Sequence, residues 1–466
     1  MNFNDGLGLV APRVTPVLDP LFRPAVLADR AFRKLTNSGA GIPVRLALEQ
    51  ADGSVFWFEA RVLKDSHPQA AGNFRFIERI AKFLLWSRGG FRIYFDGPEP
   101  LGLALRKYYQ EIPAGKFDSE IIGQRIYDHP IEVVITKDIP AERSTTTALG
   151  RHLDGCRIGF DLGGSDRKVA AVIDGKVVFS EETVWDPYFQ KDPQYQYDGV
   201  MDSLKLAAKH LPRVDAIGGS AAGVYVNNRV KVSSLFRGIA PDLFESRIKN
   251  MFLDIQREWN VPLEIVNDGE VTALAGSMAL GKNGVLGIAL GTSTAGGYVN
   301  GQGNITSWLN EMAFMPVDYN RAAPTDEWSG DYGCGVQYFS QQAVGRLLPA
   351  AGINLDPALP LPERLKKVQE LMLADDFRAR KIYQTIGTYL GYALAHYTDY
   401  YDFQNVLVLG RVASGPGGDI MIAGAKEVLA VEFPELAGGI SFHVPDEKDK
   451  RHGQAIAAAS LAKVVR

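Results

Sequence analysis

Three glycine-marked turns stand out as places where an anion could be held. They are Asp161-Leu162-Gly163-Gly164-Ser165, Gly291-Thr292-Ser293-Thr294, and Gly410 with Gly415, Gly417 and Gly418 close behind, and each follows a short apolar run with the composition of a buried strand. Glycine has no Cβ, so backbone N–H groups in such turns approach a phosphate closely. Three in one chain predict a nucleotide held from several sides. Polar groups accompany them: Asp161 opens the first turn, Asn267-Asp268 follows the apolar run 263–266, and Glu311 lies beyond the second turn. Each also has a plainer reading. Asp161 could cap its own bend, Asn267-Asp268 could start a helix over 270–280, and a lone glutamate is most often solvated surface.

The elements that must position these residues follow from apolar periodicity. Residues 44–49 and 55–62 read as strands around Asp52-Gly53, a dipeptide suited to a tight hairpin. An amphipathic helix is expected over 73–87, with Phe76, Ile77, Ile80, Phe83 and Leu84 at helical spacing and Gly89-Gly90 ending it. A strand at 91–95, a helix at 101–109 and a strand at 131–136 complete an α+β module, preceded by an extended arm over 1–20. The period lapses at 138–154, around Ser144-Thr145-Thr146-Thr147, which places a boundary near 150. Beyond it a three-stranded meander (157–160, 169–173, 177–180) is echoed at 285–290, 295–300 and 304–308, as in a diverged internal duplication. The expected domains are therefore 1–150, a module whose role the residues do not reveal, and two lobes, 151–275 and 276–466. An Ala-rich last helix beginning at Arg451-His452-Gly453-Gln454-Ala455 has the small residues of a close helix contact.

Composition narrows the function classes. A chain of 466 residues needs two or three domains, and 46% hydrophobic with 22% charged residues is a globular balance. The net charge of −4 gives no basic field for nucleic acid or an anionic membrane, and no apolar stretch is long enough to span a bilayer. Two distant cysteines, Cys156 and Cys334, and the absence of an export signal at the N-terminus point to the cytoplasm. Cys334 reads as a small buried hydrophobe. The seven histidines lack metal-ligand spacing, and Gly276-x-x-x-x-Gly281-Lys282-Asn283 departs from a phosphate loop because Asn283 stands where Ser or Thr is required.

In the order and spacing of these motifs, residues 155–466 resemble the ROK family (repressors, open reading frames and sugar kinases) of the actin/hexokinase/Hsp70 superfamily. Asp161-Leu162-Gly163-Gly164-Ser165 is similar to its Asp-x-Gly-Gly-Thr, Gly291-Thr292-Ser293-Thr294-Ala295-Gly296-Gly297 to its Gly-Thr-x-x-Gly-Gly-Gly, and Asn267-Asp268-Gly269 to its Asn-Asp-Ala. Glu311-Met312-Ala313-Phe314 stands at its Glu-x-Gly-His. The resemblance implies an α/β, two-lobed actin/hexokinase-like (ribonuclease H-like) kinase fold preceded by the α+β module. It implies ATP-dependent phosphorylation of a hexose, amino sugar or related polyol, or, as the alternative, a sugar-sensing regulator or pseudokinase. Asp268 would be the general base, Asn267 and Glu311 would bind the sugar, and Asp161 would act on Mg²⁺ through water. Gly163, Gly164, Ser165, Gly291 and Thr292 would line the phosphates and Gly410 the adenosine side, in a homodimer. A DNA-binding version is disfavoured because 1–150 has no basic recognition helix.

The departures are informative. Phe314 replaces the zinc-binding histidine, and of the cysteine cluster only Cys334-Gly335 remains, with Phe339 at the last cysteine position, so no zinc site is expected. Phe314 implies either a substrate lacking a polar group there or a site reshaped by Tyr332, Tyr338 and Trp328. Asp166 adds a carboxylate to the first turn that Mg²⁺ or Arg167 and Lys168 must offset. Trp185 to Tyr197 has the composition of a sugar-stacking segment or a packed lid.

Overall fold

The computed structural model describes residues 6–145, 148–444 and 447–464. The first five residues of the expected arm, Thr146-Thr147 of the expected connection, and the side chains of Arg451 and His452 lie outside the described residues.

Fifteen strands are described, most of them in three larger sheets. β1 (Gly41–Glu49), β2 (Val55–Leu63), β3 (Arg92–Asp96) and β4 (Glu132–Ile135) form the first, in the order β2-β1-β3-β4. Asp52 and Gly53 turn its opening hairpin, with Gly53 at φ +80° and the Asp52 carboxylate accepting from the Ser54 amide at 2.8 Å. The second sheet joins β5 (Cys156–Leu162), β6 (Asp166–Ile173), β7 (Lys176–Val184), β8 (Ala216–Ala221) and a later strand, β11 (Leu263–Asn267), as β11-β8-β5-β6-β7. Between β8 and β11 the short hairpin of β9 (Val224–Val226) and β10 (Arg229–Val232) turns through Asn227 and Asn228, both left-handed. The third sheet joins β12 (Val285–Leu290), β13 (Thr294–Val299), β14 (Asn405–Leu409) and β15 (Ser441–His443) as β13-β12-β14-β15.

The second and third sheets share a pattern: a hairpin (β5-β6, β12-β13) whose first strand pairs in parallel with a later strand. The echo is partial. No strand forms over 304–308; Ile305 makes only single bridges, to Leu149 and Val299, because the chain there leaves the sheet to meet the connection from the first module. The closing helix Glu447–Ala459 lies on the second sheet at backbone distance, as its alanines suggest. A Cβ on Gly159 or Gly218 would meet the carbonyl oxygens of Ala455 and Ala458 at 2.0 and 1.7 Å.

The first module is packed into the rest of the molecule through a common core. Phe83 stacks on Tyr400 with ring centroids 3.8 Å apart, and Phe22 lies 4.8 Å from Tyr389. The helix Gly72–Arg88 has the expected apolar face, yet its polar side is also enclosed: Glu78, Arg79 and Lys82 are fully buried. They form a charge-matched cluster. Arg79 and Lys82 reach Asp331 at 2.8 and 3.2 Å, Lys82 reaches Asp118 at 3.0 Å, and Glu78 pairs with Arg75 and Arg79. The arm ahead of the module lies along the helix Phe377–Tyr397, where Asp19 accepts from the Tyr389 hydroxyl at 2.6 Å.

Candidate active site

Strand register brings the carboxylates to one edge. Asp161 on β5 is opposite Ser220 on β8, which is opposite Val266 on β11, so Asp161 and the Asn267-Asp268 pair leave the same ends of neighbouring parallel strands. Two strand spacings separate β5 from β11, about 10 Å. The C-terminal edge of parallel strands is where open α/β sheets bind ligands. In the third sheet Leu409 is level with Ala289, so Gly410 and Gly291 also follow adjacent strand ends. Gly410 has φ +90°, and a Cβ there would meet the Leu290 carbonyl oxygen at 2.4 Å.

Asp161 is buried and accepts a 2.5 Å hydrogen bond from the Ser220 hydroxyl; burial raises its pKa, against the opposing pull of that bond and of Lys168. Lys168 lies 2.9 Å from Asp166 and 4.0 Å from Asp161, which supplies the offset that the extra carboxylate of this turn requires. Gly163 and Gly164 form the tip of the β5-β6 hairpin. The indole of Trp185 donates to the Gly163 carbonyl at 2.8 Å, and the Tyr188 hydroxyl sits where a Cβ of Gly164 would be, 1.9 Å away. The aromatic segment after β7 is therefore packed on the first glycine turn. On the second turn, Thr292 and Ser293 are exposed, and the Gly291 carbonyl accepts from the Gln341 amide at 2.9 Å.

Asn267 caps the helix Asp268–Leu280: its carbonyl oxygen accepts from the Gly269 amide at 2.8 Å, and its amide donates to the Gly223 carbonyl at 2.8 Å. The plain reading of this residue is thus present, with one donor and one acceptor position of its amide still to spare. Asp268 begins that helix, where burial and then the Asp161 carboxylate push its pKa up to about 6. Glu311 is not on the solvated surface. Its amide donates to the Trp86 carbonyl at 2.9 Å, at the end of the first module's central helix, and burial followed by Asp268 pushes its carboxyl up to about 7. Asp161, Asp268 and Glu311 therefore come from three separate segments into one mutually repelling group.

Beside them lies a cavity of about 370 Å³. Asn267, Glu311 and Trp308 line one part, Tyr225 and the β9-β10 hairpin another, and Gln50, Asp52 and Tyr127 of the first module a third. The module's contribution had no signal in the local sequence. Glu270 was missed as well: it accepts from the Asn310 side chain and the Tyr298 amide, and burial pushes it up to about 8. Its place three residues after the Asn267 cap was the available hint.

Phe314 does not face this cavity through Tyr332, Tyr338 and Trp328. It packs 4.3 Å from Trp86 and 5.4 Å from Phe117, both in the first module, whereas Trp328 is 77% exposed. Around Cys334, where the resemblance would put zinc, stand Arg79 and Lys82, two cations on the Asp331 carboxylate. Burial pushes the Cys334 thiol up to about 12, which opposes the thiolate a metal needs. Among the described residues no group of three potential ligand side chains of the Cys, His, Asp or Glu type is gathered.

No protein-family model and no curated protein matches the sequence. Solved structures do. The chain is similar to a ROK hexokinase from Thermus thermophilus, with 18% identity and a TM-score of 0.50 over 65% of this chain and 97% of that one. It is also similar to a ROK family transcriptional regulator described as a homolog of the E. coli MLC protein, with 16% identity and a TM-score of 0.53 over 66% of this chain and 78% of that one. The fold is therefore the two-lobed actin/hexokinase-like fold found in ROK proteins, carried here with an additional α+β module. No helix among the described residues is long and apolar enough to cross a membrane.

Proposed function

We propose that the protein is a ROK-type, ATP-dependent kinase of a sugar or related polyol, with Asp268 as general base. The observation that carries this reading is the meeting of Asp161, Asp268 and Glu311 beside the ends of β5 and β11, next to the turn of the first glycine hairpin. Phosphoryl transfer asks the protein mainly for positioning and for charge complementarity. The acceptor hydroxyl is held by Asn267 and Glu311; Asp268 takes its proton as the oxygen bonds to the γ-phosphorus and the bond to ADP breaks. Gly163, Gly164, Ser165, Gly291 and Thr292 face the phosphates with backbone and hydroxyl groups, and Gly410 lies on the adenosine side. A surplus of carboxylates over the single Lys168 fits a divalent cation, and Asp161 is the residue that would hold Mg²⁺ through water. When bound, Mg²⁺ supplies positive charge against the phosphates.

A second reading is a sugar-binding regulator without turnover, favoured by the Tyr188 hydroxyl against Gly164. ADP release over a panel of sugars separates the two: a kinase releases ADP with its acceptor, whereas a regulator shows sugar-dependent thermal stabilisation without ADP. A cytoplasmic location and a homodimer complete the reading.

A further inference from the structure

We propose that the first module is a substrate-recognition element: its β1-β2 turn and the connection at Thr145 form the far wall of the acceptor cavity and read the end of an uncharged polyol remote from the reacting hydroxyl. This rests on the assignment of the cavity beside Asp268 as the acceptor site. One continuous space of about 370 Å³ touches both Asn267 and Glu311 on the lobes and Gln50, Asp52, Tyr127 and Thr145 on the module. That volume is at the lower end of small-molecule sites, so the ligand is a small sugar rather than a polymer.

The wall is held in place from both sides. On the larger lobe, the Ser307 hydroxyl donates to the Asp52 carboxylate at 3.3 Å; within the module itself, Gln50 donates to the Arg88 carbonyl at 2.6 Å. On the smaller lobe, Lys231 of β10 reaches Asp128 of the module at 2.5 Å and Lys249 reaches it at 3.6 Å. A site fixed on three rigid pieces presents its hydrogen-bonding groups without reorganisation.

The lining chemistry selects the ligand class. The module offers an amide, a carboxylate, a phenol and a hydroxyl, each suited to sugar hydroxyls. No Lys, Arg or His is among the described residues that line the cavity, whereas Asp52, Glu264 and Glu311 are. An anionic acceptor would lose its hydration there without gaining a countercharge. Sugar acids and sugar phosphates are therefore excluded, and uncharged polyols are admitted.

Titration calorimetry of the full chain with uncharged sugars, sugar acids and sugar phosphates tests this, on the wild type and on Asp52→Asn and Thr145→Val. Asp52→Asn keeps an acceptor for the Ser54 amide, and Thr145→Val keeps the side-chain shape, so both are expected to fold, which melting curves check. The expected result is binding of an uncharged sugar, weakened about tenfold in each variant. In turnover, the loss is expected in KM rather than kcat. Unaltered affinity in both folded variants, tighter binding of acids or phosphates, or no binding by any uncharged sugar would overturn the proposal. Module-dependent binding with no ADP release would uphold the wall and remove the kinase reading. ADP release that neither variant affects would do the reverse.

Discussion

Two groups of buried carboxylates in this molecule are built on opposite principles. In the cluster around the first module's central helix, Glu78, Asp118 and, from the second lobe, Asp331 are matched by Arg75, Arg79 and Lys82, with every ion pair at 2.5–3.2 Å. Burial works against the charge on Asp331, but Arg79 and Lys82 outweigh it and hold its carboxyl below the usual range. In the cleft, Asp161, Asp268 and Glu311 have Lys168 as their nearby cation, and the latter two are pushed up to about 6 and about 7. Matched charges fix a structure. Unmatched ones cost stability and persist where a reaction or a cationic ligand uses them.

The matched cluster also reaches beyond the first module. The helix Gly72–Arg88 brings Arg79 and Lys82 to Asp331 beside Cys334, and Trp86 against Phe314. The added module thus packs around Cys334 and Phe314 and at the same time supports Asn310 and Glu311 through the carbonyls of Ser87 and Trp86.

The largest expected effect separates the two groups by activity. Asp268→Asn should lower kcat by roughly 10²–10⁴-fold while Mg·ATP binding persists, as measured by ADP release and calorimetry. It should also raise the melting temperature at neutral pH. A carboxyl whose folded pKa is raised favours the folded state below its unfolded pKa and loses that contribution as pH rises through about 6. The complementary break is Asp331→Ala, which leaves Arg75, Arg79 and Lys82 with only Glu78 and Asp118 to match them in the core and should cost about 3–5 kcal/mol in denaturant unfolding. Activity per folded molecule should survive it. Asp331 has the opposite linkage: its contribution is present above its ordinary value of 3.8 and is lost as pH falls through its depressed folded pKa.

A sharper distinction comes from pH. With Asp268 as the base, kcat/KM should fall about tenfold per pH unit below about 6, and a flat acid limb would argue for another base. The smallest effect is expected at the exposed edge of the module: Asp128→Ala removes its pairs with Lys231 and Lys249 and should cost no more than about 1 kcal/mol, since Asp128 is half-exposed.

The two regions were also unequally legible in the sequence. The glycine turns and Asp268 are local signals at strand ends, where turn chemistry and apolar runs coincide within a few residues, and the fold of 151–466 followed from their order. Glu311 had meaning only through the resemblance, because its burial depends on Trp86, more than two hundred positions earlier. One apolar face marks residues 73–87 as an amphipathic helix. Periodicity cannot reveal that Asp118 and Asp331 return to neutralise the other face. The third strand of the second meander failed for a related reason: Ile305 has strand-like neighbours but bridges to Leu149 instead.

The most direct measurement is ADP release by the wild type and by Asp268→Asn, with Mg·ATP and a panel of uncharged sugars at neutral pH. Sugar-dependent release by the wild type, abolished in a variant that still binds nucleotide and melts no lower, is the predicted result. Equal turnover by the two proteins, or sugar binding without release by either, would contradict the assignment of the cleft carboxylates to catalysis.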